Sequence, residues 1–226
     1  MLLHALIDVV FPATCAGCGR VLVRGERQVC MHCMAGLGTT DSAAMADNAT
    51  ERHLMGYVPI EAAMSLYNYT KEGPVRRLVH AMKFHGNARL CVMMGRQLGL
   101  ELLHSGRFDD VDVLVPVPLH WIRRLHRGYN QSLLLCRGIA EVFPRPVVKN
   151  VVVRHRYTRQ QSRQIGPKRR ANVEGAFSLK HSERLKGKHV LLVDDVLTTG
   201  ATIGSCASVL AQVEGVRVSV ATLCIV

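Results

Sequence analysis

The segment "KHVLLVDDVLTTGAT", Lys188 to Thr202, constrains the fold of this chain more than any other. Its apolar residues run consecutively instead of alternating, so a strand built from them must be covered on both faces. Short apolar runs of the same kind occur in "VDVLVPV", "PVVKNVVV" and "VRVSVATLCIV", and two stretches with helical spacing, "NQSLLLCRGIAEVF" and "ATIGSCASVLAQV", stand among them. Strand, helix, strand, loop, strand, helix and strand in that order predict an α/β domain with a mainly parallel, doubly wound sheet. Upstream, "AAMSLYNYT" alternates as a strand does, and two helical patterns follow, "PVRRLVHAMKF" opened by Pro74 and "ARLCVMMGRQLGLELLH". Sheets of this class bind ligands beyond the carboxyl ends of their strands. Asp194 and Asp195 stand at that edge.

The residues after the acid pair turn this placement into chemistry. Thr198, Thr199, Gly200, Ala201 and Thr202 occupy the turn into the next helix. A helix start offers backbone N–H groups and the positive end of the dipole. The threonine hydroxyls add donors, and Gly200 lets the backbone approach an anion without an intervening side chain. The turn therefore reads as a phosphate cradle, and the carboxylates before it can accept hydrogen bonds from vicinal hydroxyls. A ribose 5-phosphate satisfies both features.

Charge points to the same class of partner. The chain has a formal net charge of +12, and the stretch from His120 to Arg170 holds thirteen Arg and Lys against one acid, Glu141. A basic excess gathered in one segment suits a protein that handles phosphates, on a metabolite or along a nucleic acid. Within it, Arg154 to Arg170 carries seven basic residues and no acid, the composition of a loop that orders around a polyanion. Aromatic residues make up only 5% of the chain, few for a protein devoted to stacking on single strands.

At the other end, "CAGC" and "CMHC" place Cys15, Cys18, Cys30 and Cys33 as two CxxC turns separated by eleven residues. Each turn brings two thiolates to one ion, and the pair completes a closed, tetrahedral, structural zinc site. Cys91, Cys136, Cys206 and Cys224 sit singly in apolar periodic segments and read as small core residues. The expected organisation is a short helix over residues 2–10 and a zinc ribbon within 1–40, a small and polar linker over 41–60, and the α/β domain over 61–226. No apolar run reaches the roughly 20 residues of a bilayer span, and the opening "MLLHALIDVVF" lacks a basic lead, so a cytoplasmic protein is expected.

The acid pair with "TTGAT" resembles the phosphoribosyl pyrophosphate (PRPP) motif of type I phosphoribosyltransferases. That resemblance implies that Asp194 and Asp195 hold the ribose hydroxyls and act in catalysis, while Thr198 to Thr202 hold the 5-phosphate. In such enzymes the turn after the first strand wraps the pyrophosphate, which falls here on Val117 and Pro118. Pro116 and Pro118 remove two backbone donors, so Arg123, Arg124 and Arg127 become candidates to grip through their side chains. The segment from Arg154 to Phe177 looks like the flexible catalytic loop of amidophosphoribosyltransferases, with Arg156, Arg159, Lys168, Arg169 and Arg170 as candidates to reach pyrophosphate and Arg169 as a catalytic one.

Four ribbon cysteines, "YNYTKEGPVRRLVHAMKFHG", "VPVPL" with "RGYNQS", "RRANVEGAF" and "LLVDDVLTTGAT" follow one another as in the ComF family of competence proteins, which the chain resembles. Family resemblance implies a zinc ribbon joined to a phosphoribosyltransferase-like domain, PRPP bound with magnesium, and a role in DNA uptake that involves single-stranded DNA. Two functional readings stay open, an active transferase and a binding module without turnover. Nucleic acid can be assigned to the basic stretch or to the ribbon.

Overall fold

A computed structural model describes residues 12–155 and 175–226. The helix expected over 2–10 and the basic residues Arg156, Arg159, Lys168, Arg169 and Arg170 lie outside these residues. The strands are β1 (Ala63–Asn68), β2 (Val113–Pro116), β3 (Val152–Arg154), β4 (Phe177–Leu179), β5 (His189–Leu197) and β6 (Arg217–Ile225). The helices are α1 (Met31–Ala35), α2 (Ala49–Leu54), α3 (Pro74–Phe84), α4 (Ala88–Ser105), α5 (Trp121–Arg127), α6 (Gln131–Ala140) and α7 (Ala201–Leu210). Four strands form a parallel sheet in the order β1-β6-β5-β2.

The consecutive apolar residues of β5 are used on both faces, as their sequence requires. Leu191 and Val193 pack into the layer that holds α3, α4 and α6, while Val190 and Leu192 pack into the layer that holds α7. Within the first layer α4 and α6 cross backbone to backbone. A Cβ built on Gly95 would lie 2.3 Å from the Leu135 carbonyl oxygen, and one on Gly138 would lie 2.1 Å from that of Val92. Only glycine permits this approach.

Two segments differ from their sequence reading. "PVVKNVVV" is not one strand of the main sheet. Val147 makes a single parallel bridge to Leu114, Asn150 then adopts φ 65°, and Val152–Arg154 pairs antiparallel with β4. A left-handed residue in mid-run turns the chain off the sheet, and asparagine is one of the few side chains that tolerates it. Residues 41–60, read as a linker, contain α2, capped by Asn48, whose Oδ1 accepts from the N–H groups of Thr50 and Glu51. Leu54 is buried in the layer that holds α7, and Tyr57 packs against that layer. The polar residues that resembled solvent-facing linker are internal partners: Ser42 and Thr50 meet Ser65 of β1, and Asn48 Nδ2 donates to the Ala63 carbonyl.

Candidate functional site

The main sheet is longest at β5, and its two neighbours end at different heights. β2 stops with Pro116 opposite Val193, whereas β6 continues beside β5 to Ile225 opposite Leu197. Beyond Pro116 one flank of β5 is therefore open at the level of the acid pair. The two carboxylates take different partners. Asp195 accepts from Lys83 Nζ at 3.0 Å, with both side chains largely buried. Asp194 Oδ1 accepts from Ser132 Oγ and from the Asp195 N–H, each at 2.9 Å. Burial, followed by the negative charge of Asp195, pushes the Asp194 carboxyl up to about 7. Lys83 comes from the end of α3 and Ser132 from the first turn of α6, so each carboxylate is met by a different helix of the same layer.

The residues expected to form the cradle lie directly beyond. Thr198 is exposed, Thr199 partly so, and Gly200 adopts φ 75° as the residue before α7. No side chain caps α7, and its first turn closes with Gly204 N–H to the Gly200 carbonyl at 2.7 Å. The preceding amides are thus the part of the helix that an anion can meet. The turn is braced from outside the motif. Tyr57 donates its hydroxyl to the Thr199 carbonyl at 2.6 Å, and a Cβ on Gly204 would lie 2.4 Å from the Tyr57 ring.

The turn after β2 differs from the expectation placed on it. Val117 is buried, its N–H donates to the Val193 carbonyl at 2.9 Å, and its carbonyl accepts from Asn130 Nδ2 at 3.0 Å. With Val117 committed to the sheet and Pro118 lacking an N–H, neither offers a backbone donor to pyrophosphate. Arg127 is half-buried, donates to Gln131 Oε1 at 3.2 Å and feels the charges of Asp195 and Asp194, while burial holds its own pKa down. Arg154, at the end of β3, is likewise lowered by burial and by Arg123, and is attracted by Asp194. Arg123 belongs to the same electrostatic group, whereas Arg124 is exposed.

Lys83, Ser132, Arg154 and Tyr57 were not singled out by sequence reasoning. Ser132 ends the "RGYNQS" segment and Arg154 opens the basic loop, so both lay within recognised stretches. Lys83 likewise lay within the quoted segment "YNYTKEGPVRRLVHAMKFHG", although nothing there showed its partner, and Tyr57 carries no local signal, because only the return of residues 41–60 brings it to α7.

The four ribbon cysteines converge as their spacing predicts. Their sulfur atoms all lie within 4.8 Å of one another, and none of them is in a disulfide. Backbone N–H groups of Gly17 and Cys30 donate to Cys15 Sγ at 3.3 and 3.2 Å, and that of Cys33 donates to Cys30 Sγ at 3.3 Å. These donors favour thiolates, and the Cys33 N–H above all holds the Cys30 thiol down at about 6. Four converging sulfurs with amide support and no room for a substituent fit a tetrahedral metal ion; a Cβ on Gly17 would lie 2.9 Å from Cys33 Sγ. Glu26 organises the loop between the turns, pairing with Arg20 and accepting from the N–H groups of Val23 and Met31 at 3.0 and 2.9 Å.

Comparison with known proteins adds the following. The model of the phosphoribosyl transferase domain family matches residues 130–225. The chain is 30% identical over 213 residues to the DNA utilization protein YhgH of Escherichia coli strain K12, covering 93% of this chain and 89% of that protein. It is 32% identical over 151 residues to competence protein F of Haemophilus influenzae, covering 64% of this chain and 66% of the relative. Competence protein ComFC of Bacillus subtilis is 28% identical over 159 residues, covering 70% and 62%. Among the described residues no helix is long and apolar enough to cross a membrane.

Proposed function

The chain belongs to the ComF family, the family of DNA utilization protein YhgH and competence protein F, and on that premise we propose that it binds PRPP with magnesium at the carboxyl end of β5 and handles single-stranded DNA in the cytoplasm. The observation that carries the PRPP reading is the succession on one strand and turn of Asp194, Asp195, Thr198, Thr199 and the uncapped start of α7. In this reading the 5-phosphate lies against Thr198 to Thr202 and the first amides of α7, and the ribose hydroxyls donate to the carboxylates. Arg123 and Arg127, with Arg156, Lys168, Arg169 and Arg170 from the basic segment, meet the pyrophosphate. Magnesium accompanies the ligand and offsets its phosphate charge. Zinc is the ion proposed for the four cysteines, on their thiolate chemistry and spacing.

Lys83 refines the reading. An Asp195 already paired with an ammonium is a weaker acceptor for a ribose hydroxyl than Asp194, whose partners are the neutral Ser132 hydroxyl and an amide. Asp194 is therefore assigned the larger share of ribose binding, and Lys83 the task of holding the Asp195 carboxylate in place. Titration calorimetry with PRPP and magnesium tests this, with binding expected for the native protein and much weaker binding for the Asp194→Asn, Asp195→Asn double variant. Equal affinity in both rejects the ribose assignment. Following pyrophosphate release in the presence of a panel of bases and amines separates transferase from binding module, since release with one partner establishes turnover.

A further inference from the structure

A cavity of about 860 Å³ opens between the cysteine knuckle and the α3–α4 junction, away from the acid pair. One wall is the first CxxC turn, Cys15 to Gly19, and the other carries Arg76, Arg77, His80, His85 and Arg89. No acidic residue lines it among the described residues. A solvated charged face usually mixes both signs, so a wall of one sign suits an anionic partner. Arg77 is already used as a strut, donating through Nε to the Gly17 carbonyl and through Nη1 to that of Glu72. Arg76 and Arg89 are exposed and form no ion pair among the described residues.

Beside the arginines lies a cluster of rings that the PRPP reading does not use. His80 stands 4.7 Å from Phe84 and 5.0 Å from His85, centroid to centroid. Phe84 is 59% exposed, although phenylalanine is ordinarily buried. The Arg127 guanidinium sits 5.5 Å from its centroid. Aromatic faces next to a positive groove that lacks acids are the combination on which single-stranded nucleic acids bind, with bases stacking on rings and phosphates meeting arginine. A duplex keeps its bases stacked on one another and has no use for exposed rings.

We propose that this face is the nucleic-acid site of the protein: a single strand runs along α3, stacking bases on Phe84 and on His80 or His85, with its phosphates on Arg76 and Arg89. The placement rests on the strand-handling reading above; its residues are not those assigned to PRPP, although it adjoins them where Arg127 meets Phe84. A four-thiolate zinc centre carries two negative charges, so the phosphates belong on the α3–α4 wall and not against the cysteines. Because Lys83, next to Phe84, pairs with Asp195, one helix end faces both ligands.

Fluorescence anisotropy of a labelled oligo-dT, with the full-length zinc-loaded protein at moderate salt, tests the site. Phe84→Ala is expected to weaken binding about tenfold, the low-to-middle range for one stacked base, with Phe84→Trp restoring it. Arg76→Ala with Arg89→Ala is expected to reduce the salt slope by roughly 1.4, at about 0.7 per phosphate contact on a single strand, and to leave PRPP affinity unchanged. Saturating PRPP is expected to leave the oligonucleotide bound. Unchanged affinity and slope in these variants, loss on Trp121→Ala alone, or displacement of the strand by PRPP each overturns the placement while leaving strand handling in force. Failure of the native protein to bind oligo-dT overturns both, and the PRPP titration remains an independent test of the sheet site.

Discussion

Between residues 12 and 37 the buried apolar residues are Cys15, Val29, Cys30, Cys33 and Leu37, so cysteines supply most of the apolar surface this region keeps from water. β5 differs: after His189, Val190 to Val193 are fully buried between two helical layers, and the acid pair follows where β2 has ended. One region has too little apolar surface to fold by packing alone, and the zinc proposed for its cysteines would supply what packing lacks; the other folds by packing and can therefore hold carboxylates in a place that does not favour them. They touch through Arg77 and the Gly17 carbonyl, and through the shared cluster of Cys33 with the α3 layer. The difference teaches that the proposed metal and the proposed ligand would act on separate parts of the molecule, so that one part can be perturbed while the other is watched.

The largest effect is expected at the ribbon. Structural zinc in small cysteine sites contributes about 10–16 kcal/mol of apparent folding energy, more than residues 12–37 can replace. Cys30→Ser is therefore expected to lose the metal and the order of the ribbon, while the parallel sheet persists and still binds PRPP. Elemental analysis together with hydrogen exchange, reported separately for residues 12–37 and 189–225, measures both halves. Loss of protection in β5 as well as the ribbon breaks the comparison.

Next comes the packed half. Gly138→Ala drives a Cβ onto the Val92 carbonyl, a backbone group that cannot rotate away, in a helix crossing that also uses Gly95. Overpacking of this kind costs about 1–3 kcal/mol, and the rigid contact places this substitution near the upper end. Denaturant unfolding of the sheet is expected to shift by that amount with zinc content unchanged. A shift below 0.5 kcal/mol, the size of an ordinary surface substitution, indicates that α4 and α6 separate freely.

How much of this was legible beforehand follows from the distance over which each feature is encoded. The ribbon cysteines and the sequence "LLVDDVLTTGAT" are local, and the structure places both sets of residues together: four sulfurs in one cluster, and the acid pair running into the start of α7. Helices α3 and α4 match their apolar spacing almost residue for residue. Asn150 was hidden because an apolar run gives no sign of a left-handed residue within it, and residues 41–60 misled because buried serine, threonine and asparagine look like solvent-facing ones until their partners on β1 are known. Tyr57 had no local sign at all, and Lys83 stood in a quoted segment that gave no sign of its partner. Their roles arise from the approach of elements that are 112 and 142 residues distant in the chain, Lys83 to Asp195 and Tyr57 to Thr199.

A smaller effect, and one with two signs, is expected from Asp194→Asn. The folded-state carboxyl is raised to about 7 from the ordinary 3.8, by burial first and by Asp195 second. An acid raised in this way binds more protons folded than unfolded, so its contribution destabilises the protein progressively as pH rises from about 4 to 7 and is constant above. Removing the charge is expected to raise the midpoint of thermal unfolding by a few degrees at pH 8, with a gain that shrinks towards pH 4. PRPP affinity moves oppositely, falling by roughly 1.5–3 kcal/mol as a charged acceptor is lost. In the native protein the same titration makes PRPP binding strengthen between pH 6 and 8. Thermal melts and calorimetry across that range check both signs, and a variant that is less stable at pH 8 rejects the strained carboxylate.

The smallest effect sharpens the comparison most, because it asks whether the threonine turn is rigid by itself. Gly200 at φ 75° sets the direction of the chain, yet the Thr199 carbonyl beside it is held by one side-chain donor, the Tyr57 hydroxyl. Tyr57→Phe keeps the ring packed against Gly204 and removes only the O–H, at a cost of about 1 kcal/mol for a hydrogen bond of this type. If the turn depends on that brace, PRPP affinity falls several-fold through a faster off-rate while zinc content and oligo-dT affinity stay constant. Tyr57→Ala, which also empties the space over Gly204, is expected to add a loss of stability that Tyr57→Phe does not show. Surface plasmon resonance separates the rates. An unchanged off-rate for Tyr57→Phe assigns the order of the turn to Gly200 and the sheet alone, and leaves Tyr57 as a packing residue that joins residues 41–60 to α7.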